Sequence, residues 1–154
     1  MKARAVVLTL AVCLAAVVAC FADDLSTGTW KLNEAKSHLG AGAPKNSTVI
    51  YEPAGDSVKI TIEGTDAGGN PTHSEWTGKF DGKDYPVAGD PSVDARSVRR
   101  INSRTLAVRA LKDGKVIVSG RIVLSPDGKS RVVTTTGTDA QGHKTKSVAY
   151  YDKQ

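Results

Sequence analysis

Outside its first 22 residues the chain has no cysteine and no methionine, because Cys13, Cys20 and Met1 all lie in that segment. A disulfide framework, a cysteine nucleophile and a cysteine-based metal site are therefore excluded from residues 23–154. Aromatic residues are scarce, at 5% of 154. Leu, Ile, Val and Phe together make up only about 19% of residues 23–154, close to the range of disordered chains. The high net charge that accompanies disorder is missing, since the formal +5 falls to +3 without Lys2 and Arg4. Beyond residue 22 no apolar run approaches the ~20 residues of a membrane-spanning helix. Neither Gly-x-Ser-x-Gly nor His-Glu-x-x-His occurs, and His38, His73 and His143 lack the spacing of a shared metal face. A multidomain enzyme, a polytopic helical membrane protein and a disulfide-stapled miniature are all excluded. One small domain with a thin apolar inventory is left.

Residues 1–22 read as a leader. Lys2 and Arg4 form a positive start, and residues 5–19 are apolar or small apart from Thr9. That run is too short to span a bilayer and fits the core of a secretory signal. Cys20-Phe21-Ala22 before Asp23 supplies small residues at −3 and −1 for general signal cleavage. Val17-Val18-Ala19-Cys20 also resembles a bacterial lipobox, which would make Cys20 a lipidated first residue. The expectation is a cleaved signal over 1–22, a domain over 23–154, and export to the periplasm or beyond. A lipoprotein anchored through Cys20 is the alternative.

The rest of the chain is strands and turns. Val58, Ile60 and Ile62 alternate with Lys59, Thr61 and Glu63, the pattern of a half-buried strand. Asp-Gly-Lys recurs at Asp81, Asp113 and Asp127, and Asp-Gly is favoured where hairpins need positive φ. Strands are predicted at 29–33, 48–52, 58–65, 73–80, 84–87, 96–101, 105–111, 116–124, 131–138 and 144–152. Only the link over 34–46 is long, with room for one helical turn at its start. Short links imply an all-β, antiparallel up-and-down meander, and closure into a barrel of about ten strands hides its edges.

Gly28-Thr29-Trp30-Lys31-Leu32 at the start of the first strand resembles the opening of the calycins, lipocalins and fatty-acid-binding proteins alike. The strand count, the interrupted link after strand one and the closing Tyr150-Tyr151-Asp152-Lys153 are similar to the fatty-acid-binding proteins. Most closely, residues 23–154 resemble the small exported bacterial proteins described as lipocalin-like. The resemblance implies a calycin-like barrel with Trp30 as a structural anchor across its base. It also implies an Arg and a Tyr two apart on the last strand, gripping a ligand carboxylate. Here those positions are Ala149 and Tyr151, so the Tyr is present and the Arg is not. The link over 34–46 is too short for the paired helices that lid the fatty-acid-binding barrel.

Arginine is concentrated at Arg96, Arg99, Arg100, Arg104 and Arg109, and residues 95–112 contain no Asp or Glu. Most of these belong on a solvated face. Arg100 shares a face with Val98, and Arg131 is aligned with Val133 and Thr135, so both are candidates to point inward. An inward arginine needs an acceptor, either a protein carboxylate or the head of an anionic ligand. Arg100 with Tyr151 is thus expected to orient an amphipathic anion. Trp76, on a face with Ser74, Gly78 and Phe80, reads as core or as cavity wall. Asp81, Asp84, Asp90 and Asp94 crowd one region without EF-hand spacing, which favours turn chemistry over calcium.

The sequence reading is an exported, monomeric, non-enzymatic barrel that binds a small hydrophobic or amphipathic ligand. Arg100, Tyr151, Trp76 and Arg131 are its candidate contacts, and no metal, cofactor or nucleic acid is implied. Weak attraction to an anionic envelope surface is expected from the remaining arginines. The rival reading is a non-catalytic structural or interaction module of the envelope with a filled barrel, tethered through Cys20.

Overall fold

The computed structural model describes residues 24–138 and 142–154. The expected leader, with Cys20, and residues 139–141 lie outside the described residues. Ten strands run β1 (Gly28–Leu32), β2 (Lys45–Ala54), β3 (Ser57–Thr65), β4 (Pro71–Gly78), β5 (Asp81–Ala88), β6 (Ala95–Asn102), β7 (Thr105–Lys112), β8 (Lys115–Leu124), β9 (Ser130–Thr138) and β10 (Lys144–Lys153). Each pairs antiparallel with its neighbours in sequence, and β1 pairs with β10 to close the barrel. The expected ten-strand closed meander is therefore the observed fold, with strand ends shifted by at most three residues.

Local chemistry explains the hairpins. At the β7–β8 turn, Asp113 and Gly114 have φ of 49° and 72°, and Lys112 pairs with Lys115 across them. Positive φ at both central residues gives the turn a twist that matches the flanking strands. The four acidic residues expected in turn roles are held by such contacts. Asp90 accepts from the backbone and hydroxyl of Ser92, Asp94 from Lys112 and the Asp113 amide, and Asp81 from the Lys83 amide and Tyr85. Asp84 faces Arg109.

The long link carries a single 3₁₀ turn (Glu34–Lys36) capped by the Asn33 side chain, and then works as a seam. β1 is five residues long against ten for β10, so half of the β10 edge has no strand beside it. The link covers it: Asn33 and His38 donate to the carbonyls of Tyr150 and Val148, and Val148 donates back to His38. Gly40 donates to the Ser147 hydroxyl. An unpaired strand edge is thereby removed.

The barrel is packed at one end and loose at the other. Trp30, Tyr51, Ile60, Trp76, Val98, Leu106, Ile122, Leu124 and Tyr151 are buried and form one cluster toward the end where β1 starts and β10 finishes. Residues 24–27 cross that end. Trp30 Nε1 donates to the Ser26 carbonyl at 2.8 Å, Lys153 Nζ to the Leu25 carbonyl, and Arg100 pairs with Asp24. Toward the opposite end the inward positions Ile62, Val87, Arg96, Val108, Val118, Val133 and Thr135 are only half-buried. Inward side chains with accessible surface mean that solvent reaches into this half of the barrel.

Candidate ligand site inside the barrel

Arg131 is the second residue of β9 and pairs in register with Tyr151. It is 2% exposed, one of the most buried side chains in the protein. Its guanidinium carbon lies 4.5 Å from the ring centroid of Trp30, 4.8 Å from that of Tyr51 and 5.0 Å from that of Tyr151. Three ring faces stabilise the cation, each contact being worth about 0.5–2 kcal/mol. They do not satisfy its donors. Nε and Nη1 are buried without a hydrogen-bond partner among the described residues. A buried donor left open is destabilising, and an anion or an ordered water relieves it.

A second arginine enters the same interior. Arg96 stands two residues before the buried Val98 on β6, on the same face of the strand. Burial pushes its pKa down, while Tyr51 and Asp90 pull it back up. Asp90 lies in the β5–β6 turn and already accepts two hydrogen bonds from Ser92. Trp76 Nε1 donates to the Arg96 carbonyl at 2.9 Å, so the indole fixes the backbone that carries this cation. The ring of Tyr51 lies under Arg131.

Tyr151 is buried at 4% exposure, and its hydroxyl donates to the Asn46 carbonyl at 2.9 Å. Burial pushes its pKa up to about 12, against a lowering influence of Arg131. The hydroxyl remains a neutral donor at any physiological pH.

The residues singled out from sequence take separate places. Arg131 and Tyr151 meet in the aromatic cage, with Trp30 as the anchor beneath them. Arg100 shares the face of Val98 but sits at the closed end, over the Phe80 ring at 5.1 Å. Its carboxylate acceptor is supplied by the protein, as Asp24. Trp76 is 1% exposed, stacked on Phe80 and edge-on to Tyr85. It belongs to the packed core and also supports Arg96 from below. Gly78 and Gly120 are closely packed. A Cβ at Gly78 would meet the Trp76 and Tyr85 rings at 2.5–2.7 Å, and one at Gly120 the Thr134 carbonyl at 2.2 Å.

Arg96 and Tyr51 escaped the sequence reading. The signal for Arg96 was present, since it alternates with Val98 as Arg100 does. At the loose end, an open depression of about 410 Å³ is lined by Val118, Gly137 and Thr145, with Lys144 and Lys146 alongside. No group of three or more His, Cys, Asp or Glu side chains placed to hold a metal occurs among the described residues.

No known family model matches this sequence, and no curated protein is detectably similar to it. Among solved structures it is similar to EF1p2_mFAP2b bound to DFHBI, with a TM-score of 0.51 over 84% of this chain and 94% of that one. Sequence identity is 11%, so the likeness concerns the fold alone.

Proposed function

We propose that the protein binds a small amphipathic anion inside the barrel, with the acidic group toward Arg131 and Arg96 and the apolar body toward the loose end. The observation that carries this reading is the pair of open donors on Arg131, buried in a cage of three aromatic rings. Water would cover those donors without using the cation. An anion would use both. The half-buried Ile62, Val108 and Val133 give the ligand's apolar part a wall. Support by analogy comes from a similar barrel that is bound to DFHBI.

The reading is binding rather than catalysis, since among the described residues the interior offers cations and rings without a nucleophile paired with a base. The leader reading places the protein outside the cytoplasm, in the periplasm or beyond, either free or anchored through Cys20. As a monomeric carrier it would work there without a cofactor.

Native mass spectrometry of the protein recovered from its own compartment tests the reading. A co-purified anionic, lipid-like mass that disappears in the Arg131→Met variant is expected. Repeated recovery of the bare chain, under conditions that preserve other lipid carriers, would favour the filled envelope module instead.

A further inference from the structure

The outer wall of β6–β9 differs from the rest of the barrel. These four adjacent strands contain no Asp or Glu on either face. Strands β2, β3 and β4 on the other side carry Glu52, Glu63 and Glu75. On the basic wall, register places Arg99 opposite Ala107 and Ala107 opposite Arg121, in one cross-strand row. Arg99 and Arg121 are exposed and take part in no ion pair among the described residues.

The next row toward the closed end is mostly apolar. Tyr150 pairs with Val132, Val132 with Val123 and Val123 with Thr105, whose partner Asn102 on β6 stands beside Ile101 at an irregularity of the register. Ile101, Val123 and Tyr150 are 40%, 44% and 37% exposed, three of the four large apolar side chains so exposed among the described residues. Exposed Arg104 and Lys129 follow in the turns beyond. A mostly apolar row between two sets of cations, with a tyrosine at its end, has the chemistry of a lipid interface. Beside it an open groove of about 320 Å³ is lined by Gly82, Ser97, Arg99, Ala107 and Arg109, and also by Asp81. Asp81 is engaged by the Lys83 amide and Tyr85, and Arg109 is held by Asp84 and the Ser97 hydroxyl, which leaves Arg99 to meet a phosphate.

We propose that the outer wall of β6–β9 docks the protein on an anionic lipid surface. Ile101, Val123 and Tyr150 enter the headgroup boundary, and Arg99 and Arg121 pair with lipid phosphates. The proposal does not depend on a ligand in the interior.

The test is co-sedimentation of the full chain with phosphatidylcholine vesicles and with vesicles containing about a quarter phosphatidylglycerol. Wild type, Arg99→Ser/Arg121→Ser and, as a control on the opposite wall, Lys59→Ser/Lys79→Ser would be compared with the same N-terminus throughout. The readout is the ratio of partitioning between anionic and neutral vesicles, in which a shared apolar leader cancels. Near an anionic surface each cation contributes about fivefold, so the arginine pair should lower the ratio about 25-fold and the lysine pair far less. Ile101→Ser/Val123→Ser should weaken binding in a way that added salt does not reproduce. Circular dichroism of these surface variants should match wild type. Equal ratios for wild type and the arginine variant would overturn the proposal. So would salt-sensitive self-association through this wall, seen by sedimentation velocity, without preference for anionic vesicles.

Discussion

The guanidinium of Arg131 lies over the indole of Trp30, 4.5 Å from its centroid, and neither residue is more than 2% exposed. The pair ties β9 to β1 across the floor of the barrel. It also holds a positive charge, with open donors, beneath the accessible half of the interior. Structure and proposed binding meet in this contact, and most of the predictions bear on its two residues or on those beside them.

Trp30 carries the structural half. It is 0% exposed and its Nε1 holds the Ser26 carbonyl. Trp30→Ala should therefore lower the unfolding free energy by about 3–5 kcal/mol through lost burial and the cavity left behind. Urea denaturation measures this, and a loss below about 1 kcal/mol would show that the floor is not packed as described.

Arg131→Met should separate stability from binding. The change removes a buried charge with unpaired donors, which favours folding, and three cation–π contacts, which oppose it. The terms offset one another, so stability should change by less than about 2 kcal/mol in either direction. Urea curves with an unchanged m-value check this. A loss of 4 kcal/mol or more, on the order of breaking a buried ion pair, would reveal an acceptor for Arg131.

Tyr151 predicts an alkaline limit. Its pKa is pushed up to about 12 by burial, against an unfolded value near 10. The folded state thus holds a proton that the unfolded state has lost between those values, so stability is full below pH 10 and falls as pH rises toward 12. The loss should reach about 2–3 kcal/mol. Comparing wild type with Tyr151→Phe across pH 9 to 12 isolates it, since the variant lacks this slope and loses the bond to the Asn46 carbonyl at every pH.

Glycines on the barrel wall and in its turns should respond differently. A Cβ at Gly120 would stand 2.2 Å from the Thr134 carbonyl, so backbone must move between β8 and β9. At Gly55 a Cβ meets nothing within 4 Å, and only the positive φ of 64° opposes it. Gly55→Ala should cost about 1 kcal/mol and Gly120→Ala about twice that or more. Thermal unfolding of the two variants checks the order.

The strands were legible because their signals are local. Alternation at Val58, Ile60 and Ile62 and the Asp-Gly turns depend only on neighbouring residues. Closure was legible from the short links. Other features depend on residues far apart in sequence. Asp24 meets Arg100 across 76 positions, and the link's grip on β10 joins His38 to Val148. Nor does alternation reveal that β4 and β5 pair only at Glu75–Ala88 and Trp76–Val87. Tyr85, set edge-on to Trp76 at 5.8 Å and packed over Gly78, fills the space beside that short ladder. Arg131 was marked as inward by its spacing from Val133, but its cage draws rings from β1, β2 and β10. Such convergence follows from closure and has no local signature.

The central claim is that the interior recognises a negative charge. Its most direct test is a fluorescence titration of the full chain with a labelled long-chain fatty acid and, in parallel, with the methyl ester of the same molecule. The account predicts that the acid binds at least tenfold more tightly than the ester. It also predicts that Arg131→Met with Arg96→Met abolishes the difference while leaving ester binding within about twofold. Equal affinity of acid and ester for the wild-type protein would contradict it.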